Sequence, residues 1–154
     1  MATASAAIIV PLSPQQAYDL WTDLSRWPTF VDGFGHPTRV DETWPQKGAK
    51  VVWKSVPGGR GDVTERVTKD EPGITHQVNV FEEKLDGTQT VTFTATEADD
   101  VQGTRVDLTL EYTARVGGPL RPVVDVLFIR RAQNDALART LRRFAVEAAE
   151  QAEL

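Results

Sequence analysis

The chain has 154 residues, of which 40% are hydrophobic and 25% charged, and its formal net charge is -5. This length predicts one domain spanning residues 1–154, and the mildly acidic balance offers no basic face to nucleic acid or an anionic membrane. The absence of cysteine excludes disulfides, a thiol nucleophile and a thiolate metal site.

The first residues predict a location and a strand. Residues 1–7 are small and weakly apolar, without the basic and apolar regions of a secretory signal, so a cytoplasmic protein is expected. No apolar run approaches the roughly 18 residues of a membrane span, and no stable membrane insertion is expected. Residues 4–10 form a short apolar run that ends at Pro11, which predicts a strand near a sheet edge.

Two short helices are predicted to follow this strand. Ser13 precedes Pro14, the arrangement typical of a helix N-cap followed by proline at the first helical position. Apolar residues at helical spacing carry this first helix to about Asp23. Ser25 is predicted to cap a second short helix that ends near Val31.

From His36 onward the apolar residues recur with a period of two, which is typical of half-buried strands. About six such runs follow one another at short, even spacing, so antiparallel neighbours joined as hairpins are expected. Turn signals are predicted to separate the strands at residues 45–48, 57–61, 71–73, 86–87 and 99–103.

The last quarter of the chain, from Pro119 to Ala152, predicts one long helix. It has no Gly or Pro after Pro122, and its apolar residues recur at helical spacing. A helix that is apolar on one side must bury that side, and the strands provide the only other large apolar surface. The predicted arrangement is therefore a curved sheet that grips this helix, with room for a ligand between them.

This order of elements resembles the helix-grip fold of the START/Bet v 1-like (SRPBCC) superfamily, and most of all its polyketide cyclase/dehydrase and lipid-transport group. The stretches that carry the resemblance are residues 11–18, DLSRWPTFV at residues 23–31, residues 103–112 and the closing helix. The resemblance implies an α+β fold in which a curved seven-stranded antiparallel sheet wraps around a long C-terminal helix, with two short helices between strands 1 and 2. It also implies a deep apolar cavity for lipids, sterols, polyketides, quinones or plant hormones, and only some members are enzymes.

The inward face of the predicted sheet supplies most candidate ligand contacts. Dense packing is the norm in proteins, so these residues form either a filled core or the wall of a pocket. The apolar and aromatic candidates on this face are Trp53, Val63, Val78, Phe93, Leu110 and Tyr112.

Two polar residues interrupt this apolar face. Glu65 lies between Val63 and Val67, where a buried carboxyl group would keep its proton or find a cation, and it can orient a ligand hydroxyl or act as an acid or base. The alternative is a sheet end, where Glu65 reaches water. His76 can donate to a ligand carbonyl or shuttle a proton, or it can be a satisfied histidine beside the preceding turn.

The closing helix adds a third candidate group. Arg130 and Asn134 interrupt two apolar columns, are four residues apart and so share a face, where they can hold a carboxylate, enolate or phenolate. Leu127, in the same columns, is counted as an apolar ligand contact. The alternative is that the apolar stripe drifts, so that Arg130 lies at its edge and extends its head into water.

Three functions stay open from the sequence. The first is binding or transport of a hydrophobic small molecule such as a lipid, polyketide or other aromatic or isoprenoid compound. The second is a polyketide aromatase/cyclase or dehydratase, with Glu65, His76 and Arg130 as the catalytic candidates. The third is a structural or interaction module with a filled core. No cofactor, metal or nucleic acid is expected, and the chain is predicted to be a monomer or homodimer.

Overall fold

The structure, a computed structural model, describes residues 2–98, 101–115 and 123–154, and the side chains of residues 98, 101 and 123–127 are outside that description. The predicted helix start at Pro119 and the first two residues, 99 and 100, of the predicted turn at residues 99–103 therefore lie outside the described residues. In chain order the elements are β1 (Ala2–Val10), α1 (Pro14–Thr22), a 3-10 turn (Leu24–Arg26), α2 (Trp27–Phe30), β2 (Phe34–Val40), β3 (Lys50–Ser55), β4 (Asp62–Glu71), β5 (Thr75–Phe81), β6 (Leu85–Ala98), β7 (Val101–Ala114) and α3 (Val123–Ala152).

The strands form one seven-stranded antiparallel sheet in the order β1-β7-β6-β5-β4-β3-β2. Strands β2 to β7 are each paired with their neighbour in sequence, and β1 closes the far edge against β7. The sheet curves around α3, and the short helices lie between β1 and β2. The predicted α+β helix-grip architecture is confirmed.

Local side-chain chemistry sets the start of each short helix. The Ser13 hydroxyl accepts the Gln16 N–H at 3.1 Å, while the Gln16 side chain accepts the Ser13 N–H at 3.0 Å. These two bonds form a capping box, and Pro14 occupies the first helical position. The second helical segment starts earlier than predicted. Its cap is Asp23, whose carboxylate accepts the Ser25 N–H at 3.1 Å, because an aspartate two residues upstream competes successfully with the serine.

One predicted turn is wrong. Asp86 and Gly87 lie inside β6, and the chain reverses instead between Phe81 and Leu85. A Cβ on Gly87 would lie 2.7 Å from the carbonyl oxygen of Glu111 on β7. Glycine is therefore required here because two strands approach closely. In the sequence, Asp-Gly looks the same whether it forms a turn or allows such a contact.

The C-terminal half of α3 packs tightly over the α1–α2 end of the sheet. Its buried residues are Leu137, Thr140, Leu141, Phe144 and Ala148. The Phe144 ring packs edge-on against Trp21 and Phe30, with ring centroids 5.4 Å and 5.1 Å away. This aromatic cluster fixes the helix at one end of the fold, and the preceding turns of α3 lie along edge strand β1, where Asn134 accepts the Ser5 N–H.

Replacing Phe144 with alanine should lower the free energy of unfolding by about 3–5 kcal/mol, because the ring is fully buried and its removal leaves a cavity. Val146→Ala on the same helix is the matched control, since Val146 is 58% exposed, and should change stability by about 0.5 kcal/mol or less. Urea denaturation followed by circular dichroism measures both. Equal effects would contradict this account of how α3 is anchored.

Candidate functional site

A cavity of ≈ 220 Å³ lies between the concave face of the sheet and α3. This is the liquid volume of about seven waters, and an engineered apolar cavity of about 150 Å³ takes benzene. It is smaller than the roughly 300–1,000 Å³ of pockets for drug-sized ligands. Its apolar wall consists of Trp21, Trp27, Val31, Trp53, Val80, Leu108, Leu110, Ala132, Ala136 and Leu137. The space suits one substituted ring or a molecule of similar bulk.

The cavity exists because α3 presents small side chains to the sheet before its tightly packed half begins. Ala132 and Ala136 line the cavity one helical turn apart and end at Cβ. Leu108 and Leu110 of β7 line the sheet side of the same cavity and do not fill the space left by the two alanines. From Leu137 onward larger apolar side chains close the space.

Glu65 and Trp53 form the inner polar end of the cavity. Glu65 of β4 is paired with Val51 and Val80 across the sheet, so apolar neighbours surround it on both sides. The Trp53 indole N–H donates to Glu65 Oε2 at 2.6 Å. Burial raises the pKa of the Glu65 carboxyl group, and the Trp53 hydrogen bond and the charge of Arg60 oppose that rise only in part. The residue is 6% exposed, and its environment favours the protonated, uncharged form.

An ion pair lies beside this carboxyl group. The Arg60 Nε–H donates to Glu82 Oε2 at 2.6 Å, and the guanidinium carbon lies 4.9 Å from the centroid of the Trp53 ring. The Glu82 side chain is only 2% exposed, so its charge depends on this partner. Arg60 thus neutralises a buried carboxylate and stacks over the indole that holds Glu65.

The loop that carries Arg60 is folded around a serine. Ser55 Oγ accepts the N–H groups of Arg60 at 2.8 Å and Gly61 at 2.9 Å. Gly61 has φ of 72°, a conformation that favours glycine, which explains the glycine after the arginine. The loop is a structural support for Arg60 rather than a phosphate-binding cradle.

Sequence reasoning missed both members of this ion pair. Every second residue of β5 faces inward, as Val78 and Val80 do, and Glu82 is the next residue in that alternation, just past the end of the strand. This alternation is the sequence signal from which the inward position of Glu82 could have been predicted. Arg60 carried no comparable signal, because its direction depends on the loop conformation.

A second ion pair borders the cavity at α3. Arg139 donates to both carboxylate oxygens of Asp32 at 3.0 Å and 3.1 Å, and the Asp32 N–H donates to Thr140 Oγ1 at 3.0 Å. These contacts join the end of α2 to α3 across the cavity wall. Lys84, which is exposed, lies in the same wall, so the cavity reaches the surface near the β5–β6 turn.

The predicted inward residues divide into two groups. Trp53, Glu65 and Leu110 lie together in the cavity wall. The others are buried on the concave face but outside the wall of this cavity, namely Val63, Val78, Phe93 and Tyr112.

The predicted ligand contacts on α3 lie outside the described wall of the cavity. Asn134 Oδ1 accepts the Ser5 N–H at 3.0 Å and so ties the helix to edge strand β1. Arg130 is exposed, and neither residue lines the cavity. The side chain of Leu127 lies outside the described residues.

His76 belongs to a separate buried network. Its Nδ1 lies 3.1 Å from Asp70 Oδ1, and the Tyr18 hydroxyl donates to the same oxygen at 2.5 Å. The Trp44 ring packs edge-on against the imidazole, with centroids 5.3 Å apart. Burial lowers the His76 pKa, while Asp70 opposes this; burial and Asp70 together raise the Tyr18 pKa. The network links α1 to the β4–β5 hairpin away from the cavity.

Residues 2–98, 101–115 and 123–154 contain neither a metal site nor a membrane-spanning helix. No group of three or more His, Cys, Asp or Glu side chains in these ranges is arranged to hold a metal ion. None of the helices in the same ranges combines the length and apolar character needed to cross a membrane.

Comparison with family models gives one match that spans nearly the whole chain. The model described as Polyketide cyclase / dehydrase and lipid transport matches residues 1–149. No curated protein sequence matches the chain significantly. The match includes every strand, both short helices and almost all of α3.

Solved structures with the same fold cover the chain from end to end. A Thermus thermophilus protein is 17% identical with a TM-score of 0.72, and the match covers 99% of this chain and 100% of that one. A START superfamily protein from Mycobacterium smegmatis is 13% identical with a TM-score of 0.66, covering 97% and 98%. A Deinococcus radiodurans protein is 20% identical with a TM-score of 0.61, covering 99% and 100%. At these identities the likeness is one of fold.

The Tyr18–Asp70–His76 network should make stability depend on pH. Because burial lowers the folded-state pKa of His76, the unfolded chain binds the proton more readily, so stability is full above about pH 6.5 and falls as pH drops through the lower folded-state value. His76→Gln should flatten this fall between about pH 7 and pH 5 in thermal melts. The matched control is His36→Gln at the exposed second histidine. If the stability of His76→Gln fell with pH as steeply as that of the wild-type protein, His76 would not be the group responsible for the pH dependence.

Proposed function

Because the chain belongs to the Polyketide cyclase / dehydrase and lipid transport family, we propose that it binds a small, largely apolar molecule in the cavity between the sheet and α3. One observation carries the proposal: a space of ≈ 220 Å³, with aromatic and aliphatic side chains and several polar groups in its wall, borders on a buried carboxyl group, Glu65, instead of being filled by side chains. Binding sites are typically apolar with a few placed polar groups that orient the ligand.

The geometry supports one orientation of the ligand. An apolar ring fits between Leu110 on the sheet and Ala136 on the helix, where it is removed from water. Its polar substituent then points to the end of the cavity formed by Trp53 and Glu65. The volume favours a compact ligand over a polycyclic one or a long-chain lipid. Cofactor-free binding, a cytoplasmic location and a monomeric or homodimeric state stay predictions.

Catalysis is the second candidate function, and Glu65 is the observation that favours it. A buried carboxyl group that keeps its proton can serve as a general acid toward a molecule in the cavity. In the dehydration of a β-hydroxy ketone, it would protonate the departing hydroxyl group, which leaves as water. The Glu65 carboxylate so formed would take up the proton of the adjacent C–H bond as the C=C bond forms, which restores the protonated acid. This corresponds to a dehydratase or aromatase/cyclase acting on a short ketone.

Filling the cavity should abolish binding. Ala136→Phe places a ring in the space that the ligand would occupy, whereas Ala149→Phe adds the same ring at an exposed site on the same helix. We expect para-fluoroethylbenzene to bind the wild-type protein and Ala149→Phe saturably, and to lose at least tenfold in affinity for Ala136→Phe, as a ring burial of this size is worth about 1.5–3 kcal/mol. Fluorine NMR of the probe measures this. Saturable binding that Ala136→Phe leaves intact would reject the site.

The catalytic candidate is tested with the aldol adduct of acetone and benzaldehyde, whose dehydration gives an enone with strong ultraviolet absorbance. An enzyme would accelerate this dehydration, and Glu65→Gln would slow it by about a hundredfold or more. Glu83→Gln, an exposed neighbour of Glu82, is the matched control. The rate should fall as pH rises through the raised Glu65 pKa, because only the protonated acid acts. A wild-type rate equal to that of buffer would reject catalysis of this reaction and leave the binding proposal intact.

A further inference from the structure

The charges that line the cavity are already matched by the protein. Arg60 is bound to the buried carboxylate of Glu82, and Arg139 makes a two-point contact with Asp32. Among the described residues of the wall, Lys84 is the remaining cation, and it is exposed, so water screens its charge. A ligand that enters the cavity therefore meets two compensated pairs and, deeper in, the carboxyl group of Glu65.

Glu65 presents one oxygen to the cavity. Oε2 accepts the Trp53 indole N–H, and among the described residues no side chain or backbone group is hydrogen-bonded to Oε1. Burial favours the protonated carboxyl group, which carries one O–H donor. Since Oε2 already accepts a hydrogen bond, the proton belongs on the oxygen that is free to face a ligand.

We propose that the cavity selects uncharged ligands with an acceptor oxygen, such as an aryl ketone, and that the Glu65 carboxyl group donates the hydrogen bond that holds this oxygen. The inference rests on the proposed binding function and names the class of ligand. It requires no rearrangement of the two ion pairs.

Anionic ligands are disfavoured by Glu82. A carboxylate in this cavity would have to displace Glu82 from Arg60 or remain without a counter-charge beside a buried anion, and both are costly. Cationic ligands are disfavoured because the Glu82 and Asp32 carboxylates are already paired with Arg60 and Arg139, so a cation would lose its hydration without gaining a free counter-charge. A hydrocarbon of the same shape is accepted but leaves the Glu65 donor without a partner.

Four probes with one common ring test this selectivity by fluorine NMR on the full chain. They are para-fluoroacetophenone, para-fluoroethylbenzene, para-fluorobenzoate and para-fluorobenzylamine. We expect the ketone to bind about three- to tenfold more tightly than the hydrocarbon, the typical value of one neutral hydrogen bond. The benzoate and the amine should bind more weakly than the hydrocarbon.

Two variants assign the selectivity to its residues. Glu65→Met removes the donor and should erase the ketone's advantage over the hydrocarbon, whereas Glu65→Gln keeps an N–H donor and should retain it. Glu82→Gln releases Arg60 and should raise benzoate affinity by about tenfold or more, since hydrogen bonds between charged groups are the stronger ones. Circular dichroism melts establish that each variant is folded.

The outcomes separate this inference from the proposed function. If the hydrocarbon binds in the cavity but the ketone has no advantage, or benzoate or the amine binds wild-type protein most tightly, the selectivity proposal is overturned and the binding site stands. An unchanged ketone advantage in Glu65→Met also overturns it. If no probe binds the wild-type protein, the proposed function fails and the selectivity proposal fails with it.

Discussion

The architecture depends on how α3 is seated against the curved sheet. Phe144 anchors the helix by packing against Trp21 and Phe30, and this contact fixes the height of the whole helix above the strands. Because the helix is rigid, the turns before this anchor are held over the sheet even where Ala132 and Ala136 cannot reach it. The cavity is thus a consequence of strong packing at one end and small side chains at the other.

That seating also determines the electrostatics of the site. A carboxyl group between two strands of an antiparallel sheet would ordinarily face water or a packed core, but Glu65 lies in the wall of the cavity with an indole N–H as its partner. Glu82 is buried as well and keeps Arg60 as its counter-ion. The two glutamates are therefore in different situations: one is compensated by a cation, and the other is driven toward its neutral form by burial. Close acidic groups in different electrostatic environments are typical of functional sites.

Much of the fold was predictable because its signals are local. The period of two marked the strands, and Ser13 with Pro14 marked the first helix, since capping chemistry involves residues within one turn. Gly87 led to the wrong prediction of a turn. Glycine is needed there because β7 approaches closely, and the residues around Gly87 in the sequence do not indicate that approach. Likewise Asp23 and Ser25 are both residues that can cap the start of the second helical segment. The backbone conformation, which the sequence does not reveal, makes Asp23 the cap.

The site was predictable only where a residue broke a pattern. Glu65 stood out as a carboxyl group within an apolar alternation, whereas Arg60 lies in a loop and has no period to break. His76 was recognised as inward-facing, but its partners Tyr18 and Asp70 come from other elements, so its place in a separate network could not be derived. The face shared by Arg130 and Asn134 follows from helix geometry, while the contact of Asn134 with Ser5 depends on where β1 lies.

The most direct test of this account is a titration of the Glu65 side-chain carboxyl carbon by NMR, with the resonance assigned through Glu65→Gln. We expect a midpoint above the value of about 4.3 for an ordinary glutamate, because burial disfavours the charged carboxylate. A midpoint at or below that ordinary value would mean that Glu65 is charged in the folded protein at neutral pH, and it would contradict both the buried, uncharged carboxyl group and the ligand class inferred from it.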